Sequence, residues 1–117
     1  MHLESLREYC LSKKAVEETL PFGPDTLVYK VMGKAFLLTG FEGELSFNVK
    51  CDPEKAIELR EEHPCVQPGY HMNKKHWNTI TADGSVNDKQ LKEWIDHSYD
   101  LVVSGLTKKD KEILLKL

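Results

Sequence analysis

Leu45-Ser46-Phe47-Asn48-Val49-Lys50-Cys51-Asp52-Pro53 switches from one backbone period to another within a single short stretch. Leu45, Phe47 and Val49 alternate with Ser46, Asn48 and Lys50. That period of two gives a strand with one buried and one polar face. Asp52-Pro53 then reads as a helix start. The aspartate can accept from first-turn amides, and proline at the first helical position sacrifices no needed donor. The helix runs to about Glu62 and ends before His63-Pro64.

On the N-terminal side, Leu27 to Met32 and Ala35 to Phe41 form two more strands around Gly33. Met32 is expected to resist positive φ, which assigns the left-handed position to Gly33 in a bulged turn rather than to a tight type I′ pair. Gly40 to Gly43 punctuates the next hairpin, and Pro21-Phe22-Gly23-Pro24-Asp25 is a stiff lead-in. Leu3, Leu6 and Cys10 recur at helical spacing and predict a helix over 3–12. Tyr29, Phe36 and Phe41 read as core residues.

On the C-terminal side, Pro64, Pro68 and Gly69 mark an irregular connection to a strand over His76–Thr81. Ser85 and Asp88 form a capping pair for a long helix with Leu91, Trp94, Ile95, Ser98, Leu101 and Val102 along one side. Gly105 stops it, and Thr107 with Asp110 caps a short last helix. The order α-β-β-β-α-β-α-α predicts an α+β fold, a two-layer arrangement of an antiparallel sheet with helices packed mainly on one face. The other face is expected to be a polar, basic platform carrying Lys50, with Lys30 and Lys34 in or beside the neighbouring hairpin.

A chain of 117 residues with 40% apolar and 30% charged residues fits one globular domain over 1–117. No apolar run approaches the roughly 18 residues that span a bilayer, and Met1-His2-Leu3-Glu4 opens a helix pattern rather than a leader. The expectation is a cytoplasmic protein without membrane contact, monomeric and without a cofactor. Cys10, Cys51 and Cys65 are odd in number and lack a CxxC spacing, which points to free thiols.

The functional lead is Gly69-Tyr70-His71-Met72-Asn73-Lys74-Lys75-His76-Trp77-Asn78, dense in donors and aromatic faces. No Asp or Glu occurs from His63 through Ala82, although the chain carries 19 acidic against 16 basic residues. Lys74, Lys75, Asn73 and Asn78 could meet phosphates, and Tyr70 or Trp77 could stack on a base. Equally, Tyr70 and Trp77 could anchor the loop on the core, with His71 and Asn73 tying its backbone. The net charge of −3 opposes general nucleic-acid affinity, so only a local patch would serve. His63, Cys65, His71 and His76 match no compact metal-ligand spacing. Asp96, His97 and Ser98 are consecutive helical residues, about 100° apart, and do not converge as a triad.

Pro21-Phe22-Gly23-Pro24-Asp25-Thr26, Tyr29-Lys30-Val31-Met32-Gly33-Lys34-Ala35-Phe36, Lys50-Cys51-Asp52-Pro53-Glu54, His71-Met72-Asn73-Lys74-Lys75-His76-Trp77-Asn78 and Ser98-Tyr99-Asp100-Leu101-Val102 together resemble the MmcQ/YjbR family of small bacterial proteins. The resemblance covers essentially the full chain. It implies a fold like that of frataxin-like and secretion-chaperone-like proteins, described as a DNA-binding double wing, and it supplies no catalytic residues. The double-wing comparison puts the hairpin around Gly33 and Lys34, together with Lys50, near nucleic acid. The expected function is thus DNA binding without catalysis, through Lys30, Lys34, Lys50, Tyr70, His71, Asn73, Lys74, Lys75, His76, Trp77 and Asn78. Two alternatives stay open: a protein-interaction or chaperone-like adaptor, and a small-anion binder or enzyme centred on His71 and His76.

Overall fold

The strand over Ser46–Lys50 is the fourth of six in one antiparallel sheet, and its alternation decides which face meets the helices. The computed structural model describes residues 1–69 and 72–117. Its elements are α1 (Leu3–Leu11), β1 (Val16–Thr19), β2 (Thr26–Val31), β3 (Lys34–Gly40), β4 (Ser46–Lys50), α2 (Pro53–Glu62), β5 (Val66–Pro68), β6 (Trp77–Thr81), α3 (Asp88–Ser104) and α4 (Lys108–Leu115). The strand order is β1-β2-β3-β4-β6-β5. The α+β arrangement holds in the expected order, with two short strands, β1 and β5, added at the edges of the sheet.

Leu27, Tyr29 and Val31 of β2, Leu37 of β3, Phe47 and Val49 of β4 and Ile80 of β6 point to one side and pack with the helices. From α3 come Leu91, Trp94, Ile95 and Val102, from α1 Leu6 and Cys10, and from α2 Ala56 and Leu59. Burying these apolar side chains is the main favourable term holding the two layers together. Cys10, Cys51 and Cys65 are free and buried, as the spacing implied, and burial raises the Cys10 thiol to about 12. Tyr29 is buried in this layer, yet its hydroxyl reaches Glu18 of β1 at 2.6 Å, and Arg7 of α1 grips the same carboxylate with two bonds of 2.9 Å. The edge strand is thereby fastened to α1.

Helix starts follow local chemistry. Asp52 accepts from the Lys55 amide and Thr107 from the Asp110 amide, as expected. For α3 the cap is Asn87 rather than Ser85: Asn87 accepts from Gln90, while the Ser85 amide donates to Asp83 in the preceding turn. The expectation for the β2–β3 turn is also overturned. Met32 does adopt positive φ, at 49°, followed by Gly33 at 80°, so the connection is a tight two-residue turn. Two left-handed residues match the right-handed twist of the flanking strands, and strand pairing offsets the cost at Met32. The register shift lies one step earlier, between Tyr29 and Lys30. Phe41 is a further correction: it is 48% exposed in the β3–β4 loop, beyond the reach of the ladder, while Tyr29 and Phe36 are fully buried.

Candidate functional site

The donor-rich segment is held by an arginine that its own sequence does not contain. Arg60 of α2 donates through Nε to the Asn78 side-chain oxygen at 2.6 Å and through Nη2 to the carbonyls of Lys74 and Trp77. The Asn78 amide in turn donates to the Ala56 carbonyl at 3.4 Å. Asn78 is 1% exposed, so the expectation that it meets a ligand is corrected: β6 alternation turns it toward α2, where both ends of its amide are occupied. Asn73 works on the loop itself. Its carbonyl accepts from His76 and Trp77, and its side chain accepts from the Lys75 amide at 2.9 Å. The Gly69 amide donates to the Trp77 carbonyl at 2.9 Å, closing the base of the loop.

This bonding leaves Lys74 and Lys75 exposed on a tied turn, with His76 and Trp77 half-buried behind them. Tyr70 and His71 lie outside the described residues. The turn stands at the sheet end where Lys50 pairs with Trp77 and where Lys34 starts β3. Lys34 and Lys50 line one shallow depression with Ala35, and Ala35 also walls the neighbouring groove together with Lys30, its partner across β2 and β3. Lys30, Lys34 and Lys50 therefore gather around Ala35. Glu17 of β1 is the acidic residue in register with Lys30.

The free face of the sheet is not the polar platform expected. A groove of about 610 Å³ runs along β2 and β3, from Thr26, Gly40 and Ser46 at one end to Lys30 and Ala35 at the other. Its floor is Val28 and Leu38, only 1% and 9% exposed although they stand outside the helix-side core. Phe22 of the β1–β2 loop and Met72 of the donor-rich segment also line it. The reason is in the register. Val28 opposes Leu38 directly, so two aliphatic side chains project from the face on which Asn48 and Lys50 had pointed to a polar surface. Strand signals from β4 did not carry over to β2 and β3, which have apolar residues on both sides.

Asp96, His97 and Ser98 diverge as helical geometry requires. Asp96 accepts from the Tyr9 hydroxyl and pairs with Lys13, both at 2.5 Å. His97 Nε2 accepts from the Asp52 amide at 3.3 Å, and burial, seconded by Lys55, holds its pKa below the ordinary value. Ser98 is fully buried; its hydroxyl donates to the Phe36 carbonyl at 2.6 Å and accepts from the Lys50 amide at 2.8 Å. His63 rests edge-on against Trp94 with ring centroids 5.1 Å apart. Among the described residues, no group of three His, Cys, Asp or Glu side chains is assembled to hold a metal ion.

Arg60, Phe22, Val28, Leu38 and Met72 are the positions that sequence reasoning missed. Phe22 alone carried a signal, being an aromatic residue set among turn formers where no core face exists.

The YjbR family model matches residues 11–101, which include every one of these lysines, the groove and the tied turn. The chain belongs to the YjbR family. It is 37% identical over 110 residues to the uncharacterised Escherichia coli O157:H7 protein YbdF, covering 93% of this chain and 90% of that one. It is 31% identical over 118 residues to YjbR of Escherichia coli K12, across the full length of both. The crystal structure of Deinococcus radiodurans DR2400, a DUF419 domain, superposes with a TM-score of 0.90 at 40% identity, covering 96% of this chain and 86% of that one. A Pseudomonas syringae structure superposes at 0.76 with 27% identity, covering 86% and 98%. The matched span contains the whole sheet, α2 and most of α3. Among the described residues, no helix is long and apolar enough to cross a membrane.

Proposed function

We propose that this YjbR-family protein binds nucleic acid electrostatically at the lysine-bearing end of its sheet, without catalysis. Lys30, Lys34 and Lys50 contact phosphates from the sheet, and Lys74 and Lys75 contact them from the tied turn. The observation that supports this is the meeting of Lys30, Lys34 and Lys50 around Ala35, at the same sheet end as that turn. Phosphate contacts position a duplex or single strand without reading its sequence. Arg60 belongs to this reading as the group that fixes the turn, not as a contact.

Salt dependence tests it. Five lysines give a slope of log K against log salt of about −3.5 to −4.5, at roughly 0.7 to 0.9 per neutralised phosphate. Lys34→Met with Lys50→Met lowers the magnitude of that slope by nearly two, whereas Glu61→Ala, an exposed position of α2, leaves it almost unchanged. No binding to duplex or single-stranded DNA at about 50 mM salt, where phosphate contacts are strongest, overturns the proposal.

A second reading has its own observation. Leu20, Phe22 and Phe41 are exposed in the β1–β2 and β3–β4 loops, which leave the opposite sheet end because Thr26 pairs with Gly40. Exposed aromatic and aliphatic residues at two neighbouring loop tips favour a protein partner, as an adaptor would use. Phe22→Ser with Phe41→Ser would then abolish partner capture while leaving the oligonucleotide slope intact.

A further inference from the structure

We infer that the groove over Val28 and Leu38 is a binding site for a small amphipathic anion, a molecule with an apolar alkyl or aryl body and one carboxylate. This inference stands on the groove alone and does not need nucleic-acid binding. Its volume of about 610 Å³ lies within the roughly 300–1,000 Å³ common to small-molecule sites. The chemistry along its length is graded. Val28 and Leu38 form an apolar floor, Phe22 and Met72 add apolar lining, and Thr26, Ser46 and Asn48 offer neutral polar groups on the walls.

Charge selects the head group. Among the described residues lining the groove, Lys30 is the one that carries a formal charge, and it sits at the end away from Thr26 and Ser46. Lys34 and Lys50 lie just past Ala35, so the same end faces further positive charge. Glu17, in register with Lys30, is on the neighbouring edge strand and is not among the lining residues. A carboxylate at Lys30 with its apolar tail along Val28 and Leu38 satisfies both ends of the groove. A cation would meet Lys30 head-on, and a neutral alcohol would leave that contact unused.

The floor pair also needs an explanation that the helix-side core does not provide. Val28 and Leu38 are nearly as buried as core residues but belong to the opposite face, and Phe22, which lines the groove with them, is 75% exposed. An apolar guest beneath Phe22 converts that exposed ring into a lid.

Titration of the intact protein with hexanoate, octanoate and decanoate, followed by amide chemical shifts, tests the site. Affinity should rise about fourfold per methylene as tail is buried. Shifts should concentrate at Val28, Leu38, Phe22 and Ser46. Octanol should bind more weakly than octanoate, and octylamine more weakly still. Lys30→Met, which keeps the aliphatic stem, should lower the octanoate-over-octanol preference by up to about fivefold, while Lys111→Met on α4 should not change it. Ala35→Leu, which fills the groove, should weaken all three acids together. Affinity independent of chain length, equal binding of octylamine, or shifts mapped to Ile113 and Leu115 would overturn the inference. The wild-type shift map stands even where a variant fails to fold.

Discussion

Arg60 Nε lies 2.6 Å from Asn78 Oδ1, joining α2 to the start of β6 at the C-terminal end of the donor-rich segment. This one pair decides the character of the segment. An asparagine with the look of a ligand contact is consumed in holding its neighbours, and a helix residue outside the segment fixes where Lys74 and Lys75 stand.

Replacing Asn78 with Leu removes the Arg60 acceptor and the bond to the Ala56 carbonyl, in a site with almost no solvent. Loss of a bond to a charged group and of a buried neutral one predicts a destabilisation of about 2 to 4 kcal/mol, measured by urea unfolding. The amides of His76 and Trp77 should also lose hydrogen-exchange protection more than those of β2. Equal loss across the sheet would mean that the pair serves the core and not the turn.

Ser98→Ala should cost about 2 to 4 kcal/mol for a different reason. Its hydroxyl bridges the Phe36 carbonyl and the Lys50 amide, which are left without a partner when it is removed. These two backbone groups lie just beyond the Leu37–Val49 pairing, where the regular β3–β4 ladder gives out. Urea unfolding of Ser98→Ala and Ser98→Gly measures the effect. A change below about 0.5 kcal/mol would show that water replaces the hydroxyl at little cost.

Gly69→Ala should destabilise by about 1 to 3 kcal/mol. A Cβ there would stand 2.8 Å from the Trp77 Cβ and 3.0 Å from both the Trp77 carbonyl oxygen and the Met72 Cβ. Gly105→Ala is the control, because its nearest neighbour would be 3.6 Å away and its φ of −89° suits any residue. Thermal melts of the two variants should separate clearly. Similar melting points would mean that the loop base yields.

Two titrations shape the stability curve in acid. Glu18 is held below its ordinary range first by the Arg7 hydrogen bond, with the Tyr29 hydroxyl adding to it. The unfolded chain therefore takes up this proton first as pH falls below about 4.3, and the stabilisation disappears as pH drops through the folded value. Glu18→Gln should flatten that part of the curve. His97 is likewise depressed, by burial and then by Lys55, so the unfolded state protonates first below about 6.5 and stability falls from there. His97→Gln should flatten the curve from the onset of His protonation in the unfolded chain down through the folded His97 value and leave the Glu18 effect in place. Melting temperature against pH for the three proteins checks both.

Local chemistry was enough to read the elements that carry their own signals. Alternation in Leu45 to Lys50 names a strand and its buried face, Asp52-Pro53 names a helix start, and Leu91, Trp94, Ile95 and Ser98 name the stripe of α3. β1 and β5 carry no such signal, since Val-Glu-Glu-Thr has no apolar alternation and Val-Gln-Pro is too short to show any. They exist because a neighbouring strand presents unpaired backbone groups to them. Tertiary structure alone decided the site. The groove needs Val28 set against Leu38 by register, and Phe22 and Met72 brought to its lining from segments far apart in the chain. Arg60 reaches Asn78 only after α2 has packed on β6. Periodicity along a chain reports which face a residue occupies, but the partners across that face are fixed by strand pairing and helix docking, and those arise from the whole fold.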